Sequence, residues 1–301
     1  MLLATFNGAE HIREQLDSIA TQSHENWELI VSDDGSADRT VEIVEKFACS
    51  VPQSVHLVEG PQKGFWRNFL SLAKHAGLLD AELYAFCDQD DIWLRDKLER
   101  AARWFSKGAS DSPRLYFTRT ELIEENGRPA GLSPLFRRKP SFQNALVQNI
   151  GGGNTMVMNK AASLLLAQVP DDVTLIAHDW WTYQIVTGAG GTAFYDSVPS
   201  LKYRQHGKNL IGSNRGFSAR LFRAVAFASQ RMRHWNEVNT ATLNGMRGLL
   251  CQPALSVLDD FTVARRSKLP KNIYLLVRSG VYRQGFLETI GLYLGAILGL
   301  I

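Results

Sequence analysis

Leu83-Tyr84-Ala85-Phe86-Cys87-Asp88-Gln89-Asp90-Asp91 is the stretch on which the reading of this chain turns. Its first five residues form a short apolar run, which predicts a buried strand. Three carboxylates follow at the carboxyl end of that strand. Carboxylates this close repel one another and are costly to desolvate without a positive partner. A divalent metal bound to phosphates supplies one, because Mg²⁺ and Mn²⁺ favour oxygen ligands, usually one or two carboxylates with phosphate oxygens and water. The tetrapeptide by itself equally fits a solvated acidic loop capping the next helix, predicted over Trp93 to Phe105.

The flanking pattern bears on that choice. Strands are predicted over Leu2 to Phe6, Trp27 to Ser32 and Val55 to Val58. Helices are predicted over Ala9 to Thr21, with Ile12, Leu16 and Ile19 on one face, over Ala37 to Phe47 behind a Ser36 cap, and over Phe65 to His75. This alternation implies βαβ units, an α/β fold and a mainly parallel sheet. Such sheets bind ligands beyond the carboxyl ends of their strands. The polar clusters Thr5-Phe6-Asn7-Gly8, Asp33-Asp34-Gly35-Ser36 and Asp88 to Asp91 all fall there. Further on, Leu115 to Ile123 reads as strand and Gly127 to Pro140 as loop. Gly151-Gly152-Gly153 leads into a strand over Thr155 to Met158, and the run is not a P-loop, since no Gly-Lys-Ser/Thr follows. His178 to Thr187 reads as helix, and Thr192 to Tyr195 and Leu201 to Arg204 as short strands. From Phe217 the chain reads as all-helical, with Leu221, Val225, Ala228, Met232 and Trp235 on one face.

A chain of 301 residues that is 45% hydrophobic can bury a large core. Cys49, Cys87 and Cys251 are scattered and odd in number, which argues against a disulfide framework and for a reducing compartment. The opening Met1-Leu2-Leu3-Ala4 has no basic leader. Charge is split along the chain. Residues 1–200 hold 18 Lys and Arg against 26 Asp and Glu, whereas residues 201–301 hold 15 against 4. The basic end suits an anionic partner such as a lipid surface, a phosphorylated lipid carrier or nucleic acid, or is a solvated basic face. No nucleic-acid motif is present. Gly285 to Ile301 carries one charge, Glu288. It is short for a membrane span and follows basic residues, so it fits an interfacial helix or a helix packed on protein.

Taken together, several motifs resemble a family 2 glycosyltransferase with a GT-A fold. They are Ala4-Thr5-Phe6-Asn7-Gly8, Gln15-Leu16-Asp17-Ser18-Ile19 with Gln22, Leu29-Ile30-Val31-Ser32-Asp33-Asp34-Gly35-Ser36 with Asp38 and Thr40, Gly64 with Arg67-Asn68-Phe69, and Phe86-Cys87-Asp88-Gln89-Asp90-Asp91 as a DxD motif. His178-Asp179-Trp180-Trp181 and Tyr203-Arg204-Gln205-His206-Gly207 resemble later elements of the rhamnosyltransferase-like branch. The resemblance covers residues 2 to about 215, suggesting a catalytic domain over 1–215 and a basic helical C-terminal region over 216–301.

The resemblance implies transfer of rhamnose or a similar sugar, with inversion, from a dTDP- or UDP-sugar. The acceptor would be a hydroxyl of a cell-surface polysaccharide, lipopolysaccharide or lipid-linked glycan at the cytoplasmic membrane face. It places Asp34 on the base ring, the backbone near Ala4 and Thr5 around the base, and Arg67 on the nucleotide. Asp90 would ligate Mn²⁺ or Mg²⁺ directly, with Asp88 on the ribose or a metal-bound water. His206 matches a histidine that reaches the metal in some members, or is a surface histidine beside Arg204 and Lys208. Asp179 matches the general base, and its apolar, aromatic setting would raise its pKa. The residues themselves leave other roles open: Asp34 as helix cap or Asx-turn, Asp179 as helix N-cap, and Trp180 and Trp181 as core residues or sugar-stacking faces. Gly152 and Gly153 would let an acceptor sugar approach the backbone. A sugar nucleotidyltransferase, or a non-catalytic membrane-docking module, are the competing readings.

Overall fold

The computed structural model describes residues 1–76, 81–108, 111–205 and 220–301, with side chains of the last stretch described from Arg231. The apolar runs of the first third become β1 (Leu2–Thr5), β2 (Leu29–Asp33), β3 (Val55–Glu59) and β4 (Leu83–Cys87), joined by α1 (Ile12–Ala20), α2 (Thr40–Ala48) and α3 (Phe65–Ala76). Next come β5 (Ile92–Trp93), α4 (Lys97–Phe105), β6 (Arg114–Thr118), β7 (Glu121–Glu124), β8 (Pro129–Leu132) and α5 (Phe142–Ala145). They are followed by β9 (Val157–Asn159), α6 (Lys160–Ala167), α7 (His178–Gly188), β10 (Thr192–Asp196) and β11 (Leu201–Gln205).

Seven strands form one sheet in the order β10-β6-β9-β4-β1-β2-β3. β1 lies parallel to both β2 and β4, β2 to β3, and β6 to β10, whereas β9 runs antiparallel between β4 and β6. The sheet is therefore mainly parallel, as the βαβ pattern implies. Successive side chains of a strand face opposite ways. Leu2, Ile30 and Phe86 accordingly join the core under α3 and α6, while Leu3, Val31 and Cys87 join the core under α1 and α2. This two-sided burial explains why the strands read as continuous apolar runs.

A small sheet in the order β5-β11-β7-β8 was not foreseen. It corrects three expectations. The helix expected from Trp93 starts at Lys97, because Trp93 pairs with Leu201 and donates its N–H to Ser18 Oγ at 3.0 Å. The strand expected over Leu115 to Ile123 breaks after Thr118. Arg119 N–H turns to Asp196 O at 2.9 Å, and β7 crosses into the small sheet. The loop expected over Gly127 to Pro140 contains β8. A fourth correction concerns α2, which starts at Thr40 and is not capped by Ser36. The Ser36 hydroxyl donates to Asp33 Oδ1 at 2.6 Å and accepts from Asn7 N–H at 2.8 Å, so it closes the turn after β2 instead.

The C-terminal part is helical: α8 (Arg220–Gly245), α9 (Gln252–Arg266), α10 (Lys271–Ser279) and α11 (Phe286–Ile297). Of the apolar face expected on α8, Leu221, Val225 and Ala228 lie outside the described side chains. Leu243, Leu258, Phe261 and Leu276 are fully buried in the same core as Leu2 and Phe86. α11 adds Leu292 and Ala296 to that core but exposes Phe286 (78%) and Leu287 (79%), and Leu298 just after it is exposed too (70%). Among the described residues no helix is long and apolar enough to cross a membrane. All three cysteines are free thiols.

Candidate active site

The carboxyl ends of β1, β2 and β4 converge, and each carries one of the polar clusters. After β2, Asp33 makes the Asx-turn: its Oδ2 accepts the N–H groups of Gly35 at 3.1 Å and Ser36 at 2.7 Å, and its Oδ1 accepts Thr5 Oγ1 at 2.9 Å. Gly35 holds a φ of 94°, open to glycine at little cost. Asp34 is thus neither the turn nor a cap. Its carboxylate reaches across to the loop before α3 and accepts from Gln62 N–H at 2.6 Å and Gly64 N–H at 2.9 Å. Thr5 is buried beneath this turn, Ala4 is half-buried beside it, and Arg67 projects from the first turn of α3. The Arg67 guanidinium lies 4.6 Å from the Trp66 ring centre, and its Nε is buried without a partner among the described residues.

After β4, Asp88, Asp90 and Asp91 bring carboxylate oxygens within 4.8 Å of one another. The three do not share one role. Asp91 is fully buried, accepting from the Asn154 amide and, at 3.4 Å, from Arg204 N–H. Burial, with repulsion from Asp90, pushes its carboxyl up to about 7. Asp88 is driven well above the carboxylate range by desolvation, then by Asp91, Asp90 and Asp179. The cation built into this group is Lys97, on α4. Its Nζ donates to Asn154 O at 2.7 Å, and burial pulls it down to about 7. With Asp91 turned inward, Asp88 and Asp90 are the pair whose donor chemistry fits a divalent ion that also holds phosphates and water.

Asp179 is the second residue of α7, and Ala177 holds the N-cap position. Its Oδ2 accepts Gly153 N–H at 3.2 Å, its Oδ1 accepts Trp180 N–H at 2.6 Å, and the Asn149 amide also reaches it. Desolvation outweighs these donors and raises its pKa. Gly153-Asn154 therefore ties the helix bearing Asp179 to the acidic stretch, one residue bonding each side. Gly153 is buried against its neighbours, whereas Gly152 is exposed. A Cβ on Gly153 would lie 2.3 Å from His178 Nε2, and one on Gly152 would lie 2.7 Å from Asn154 Oδ1. The His178 ring stacks on Phe69 with centroids 3.9 Å apart and meets Phe86 edge-on. Burial pulls its pKa down to about 3, so it is neutral.

Trp180 and Trp181 do not offer a sugar-stacking face. Their exposures are 4% and 1%, Trp180 Nε1 donates to Ala145 O at 2.7 Å, and Trp181 is part of the main core. The residue pattern placed two aromatics on a helix start; the helix is buried nearly all round. His206 lies outside the described residues.

Sequence reading missed three positions that shape the site. Gln89 clasps the end of β1, accepting Phe6 N–H at 2.8 Å and donating to Phe6 O at 3.0 Å. Arg204 is 3% exposed and donates to Asp90 O at 3.1 Å, to Glu125 O at 2.8 Å and to Glu14. Asn154 joins Asp91 and Lys97. The strand that carries Arg204 reads Leu-Lys-Tyr-Arg-Gln, and nothing in that mixed pattern marks the arginine as buried.

This chain belongs to glycosyl transferase family 2, which it matches over residues 2–165. It is a glycosyltransferase with a GT-A fold. Among its relatives, the dTDP-rhamnosyl transferase RfbG of Shigella flexneri is 30% identical over 232 residues, 72% of this chain and 76% of that protein. The putative teichuronic acid biosynthesis glycosyltransferase TuaG of Bacillus subtilis (strain 168) is 25% identical over 222 residues, 73% and 83% of the two chains. Among solved structures, S. aureus TarS 1-349 in complex with UDP-GlcNAc superposes with a TM-score of 0.53 over 93% of this chain and 91% of that one. At 16% identity it shows the shared fold.

Proposed function

We propose that the chain transfers a sugar, rhamnose or one like it, from a dTDP- or UDP-sugar to a hydroxyl of a growing surface polysaccharide or lipid-linked glycan, with inversion at the anomeric carbon. The observation that carries this reading is Asp179, a desolvated carboxylate fixed by Gly153 N–H in the electrostatic reach of Asp88. The dTDP-rhamnosyl activity named for RfbG supports the choice of donor.

In this mechanism Asp34, the backbone at Ala4 and Thr5, and Arg67 hold the nucleotide. Asp179 removes the proton from the acceptor hydroxyl. The hydroxyl oxygen then bonds to the anomeric carbon as that carbon's bond to the diphosphate oxygen breaks, and nucleoside diphosphate leaves with the electron pair. A single displacement inverts the centre. Asp90, with Asp88 beside it, would hold Mn²⁺ or Mg²⁺, which supplies Lewis-acid neutralisation of the leaving diphosphate. Product analysis tests the reaction class. Free nucleoside diphosphate is expected; pyrophosphate would instead indicate nucleotidyl transfer and overturn the assignment.

The same reading places the enzyme at the cytoplasmic face of the membrane, through α11 and the basic region before it. Phe286 and Leu287 are exposed on α11 and Leu298 just after it, with Tyr274 and Val277 exposed on α10 (61% and 62%). Burying such a face in lipid gains roughly 25 cal/mol per Å². Because Phe286 and Leu287 contribute almost nothing to the core, Phe286→Asp with Leu287→Asp should leave the melting temperature unchanged. It should also cut co-flotation with anionic vesicles at least about tenfold. Undiminished flotation of the folded double variant would sink this docking mode.

A further inference from the structure

A cavity of about 660 Å³ opens between α8 and α9, and its lining shares no residue with the acidic stretch or Asp179. α8 contributes Arg233, Glu237 and Thr240; α9 contributes Thr262, Arg265 and Arg266. Among the lining side chains, three guanidinium groups thus meet one carboxylate.

Arg265 is the central group. Its side chain is 8% exposed. One terminal nitrogen donates to Thr240 Oγ1 at 3.2 Å, and the other donates to Arg233 O at 3.2 Å. Glu237 stands 4.0 Å away, the outer limit of an ion pair, and is itself engaged by Arg233 at 3.2 Å. The Arg265 Nε is buried with no partner among the described residues, and so is the Thr262 hydroxyl on the same wall. A guanidinium keeps its charge when buried and is costly to hold there without an anion. The cavity has room for more than an inorganic ion, since sites for small ligands occupy about 300–1,000 Å³.

We infer that this cavity binds a phosphate-bearing anion, a phosphate monoester or a pyrophosphate group, either free or carried as a lipid headgroup. The planar fork of Arg265 matches phosphate oxygens, Thr262 supplies a hydroxyl donor, and Arg233 and Arg266 add charge. One wall of the cavity touches the helix that bears Asp179. α8 also carries Trp235, whose ring meets Trp180 edge-on at 5.6 Å, one residue beyond Asp179. The inference does not depend on Asp179 being the base.

The test is calorimetric titration of the full chain with inorganic pyrophosphate in EDTA, which removes any metal-assisted diphosphate binding at the acidic stretch. The wild type binds. Arg266→Gln, at an exposed position that spares the fold, weakens binding about tenfold, the loss expected for one charge-assisted contact. Arg265→Gln removes it, and Glu237→Gln tightens it severalfold by deleting the acidic side chain of the lining. Asp179→Asn leaves it unchanged, which separates this site from the transfer chemistry. Vesicles of phosphatidylcholine with and without phosphatidic acid identify the source. Capture that pyrophosphate displaces assigns the phosphate to a headgroup, and pyrophosphate binding without such displacement assigns it to a soluble phosphate. No pyrophosphate or headgroup binding by the folded wild type overturns the inference. So does an affinity untouched by Arg266→Gln and Arg265→Gln, or one weakened by Glu237→Gln, which would mark a cation site.

Discussion

Asp179→Asn is expected to lower sugar transfer by at least about a hundredfold, the scale of a general base, with donor affinity within about twofold of wild type. The substitution is close to isosteric. Its carbonyl oxygen can still accept the Gly153 N–H that Asp179 Oδ2 accepts now at 3.2 Å. The link between Gly153 and α7 therefore survives, and what is lost is the ability to take a proton, together with the acceptor for Trp180 N–H at the start of the helix. A pH profile adds a second readout. Burial raises the Asp179 pKa, so the base becomes protonated, and activity falls, at a higher pH than an ordinary aspartate near 3.9 would dictate. The acid limb of kcat/KM should lie above that value in the wild type and be absent from the residual activity of Asp179→Asn. Loss of donor binding together with transfer would mean that Asp179 holds the donor and that the base is another group.

Gly153→Ala is expected to cost about 1–3 kcal/mol of stability, the range for forcing an extra methyl into a packed core. Activity should fall with it. The new Cβ would lie 2.3 Å from His178 Nε2 and 3.0 Å from its Cε1. The imidazole has nowhere to retreat, being stacked on Phe69 and edge-on to Phe86. Relief must come from the Gly153 backbone, which carries the N–H bonded to Asp179. His178→Ala opens the space that the Cβ needs. Combined with Gly153→Ala, it should therefore destabilise less than the sum of the single changes, with a coupling of roughly 1–2 kcal/mol. Denaturant titration of the four proteins measures it. Strict additivity would mean that the loop relaxes freely and that Gly153 is not wedged against His178.

The principal sheet was legible because β1, β2 and β4 are buried on both faces and leave unbroken apolar runs. The polar clusters ending them were legible for the same reason. The small sheet was not. β5 has two residues, and β7 pairs with β11 some eighty positions away, so local pattern carries little trace of either. Three aspartates within four residues could be recognised as a site, but not sorted. Asp91 is set apart by Asn154 and Arg204, 63 and 113 residues further along. The glycine run was read as room for an acceptor, whereas its tight contact is with His178, a partner only the fold brings near. For Trp180 and Trp181 the sequence left core packing and a sugar-stacking face both open, and α7 lies deep enough to bury both indoles.

The central claim, a metal-assisted site for a nucleoside diphosphate between the β2 turn and the acidic stretch, is tested most directly by thermal stability. The wild type and Asp90→Asn would be measured with UDP, dTDP or GDP, with Mn²⁺, and with each pair. A ligand at about 100 times its dissociation constant adds roughly 2.7 kcal/mol of stability. One nucleoside diphosphate, expected to be dTDP or UDP, should raise the melting temperature of the wild type by several degrees only when Mn²⁺ is present, and Asp90→Asn should lose that rise. No shift in the folded wild type with any pair, or a shift of equal size in Asp90→Asn, would contradict the account.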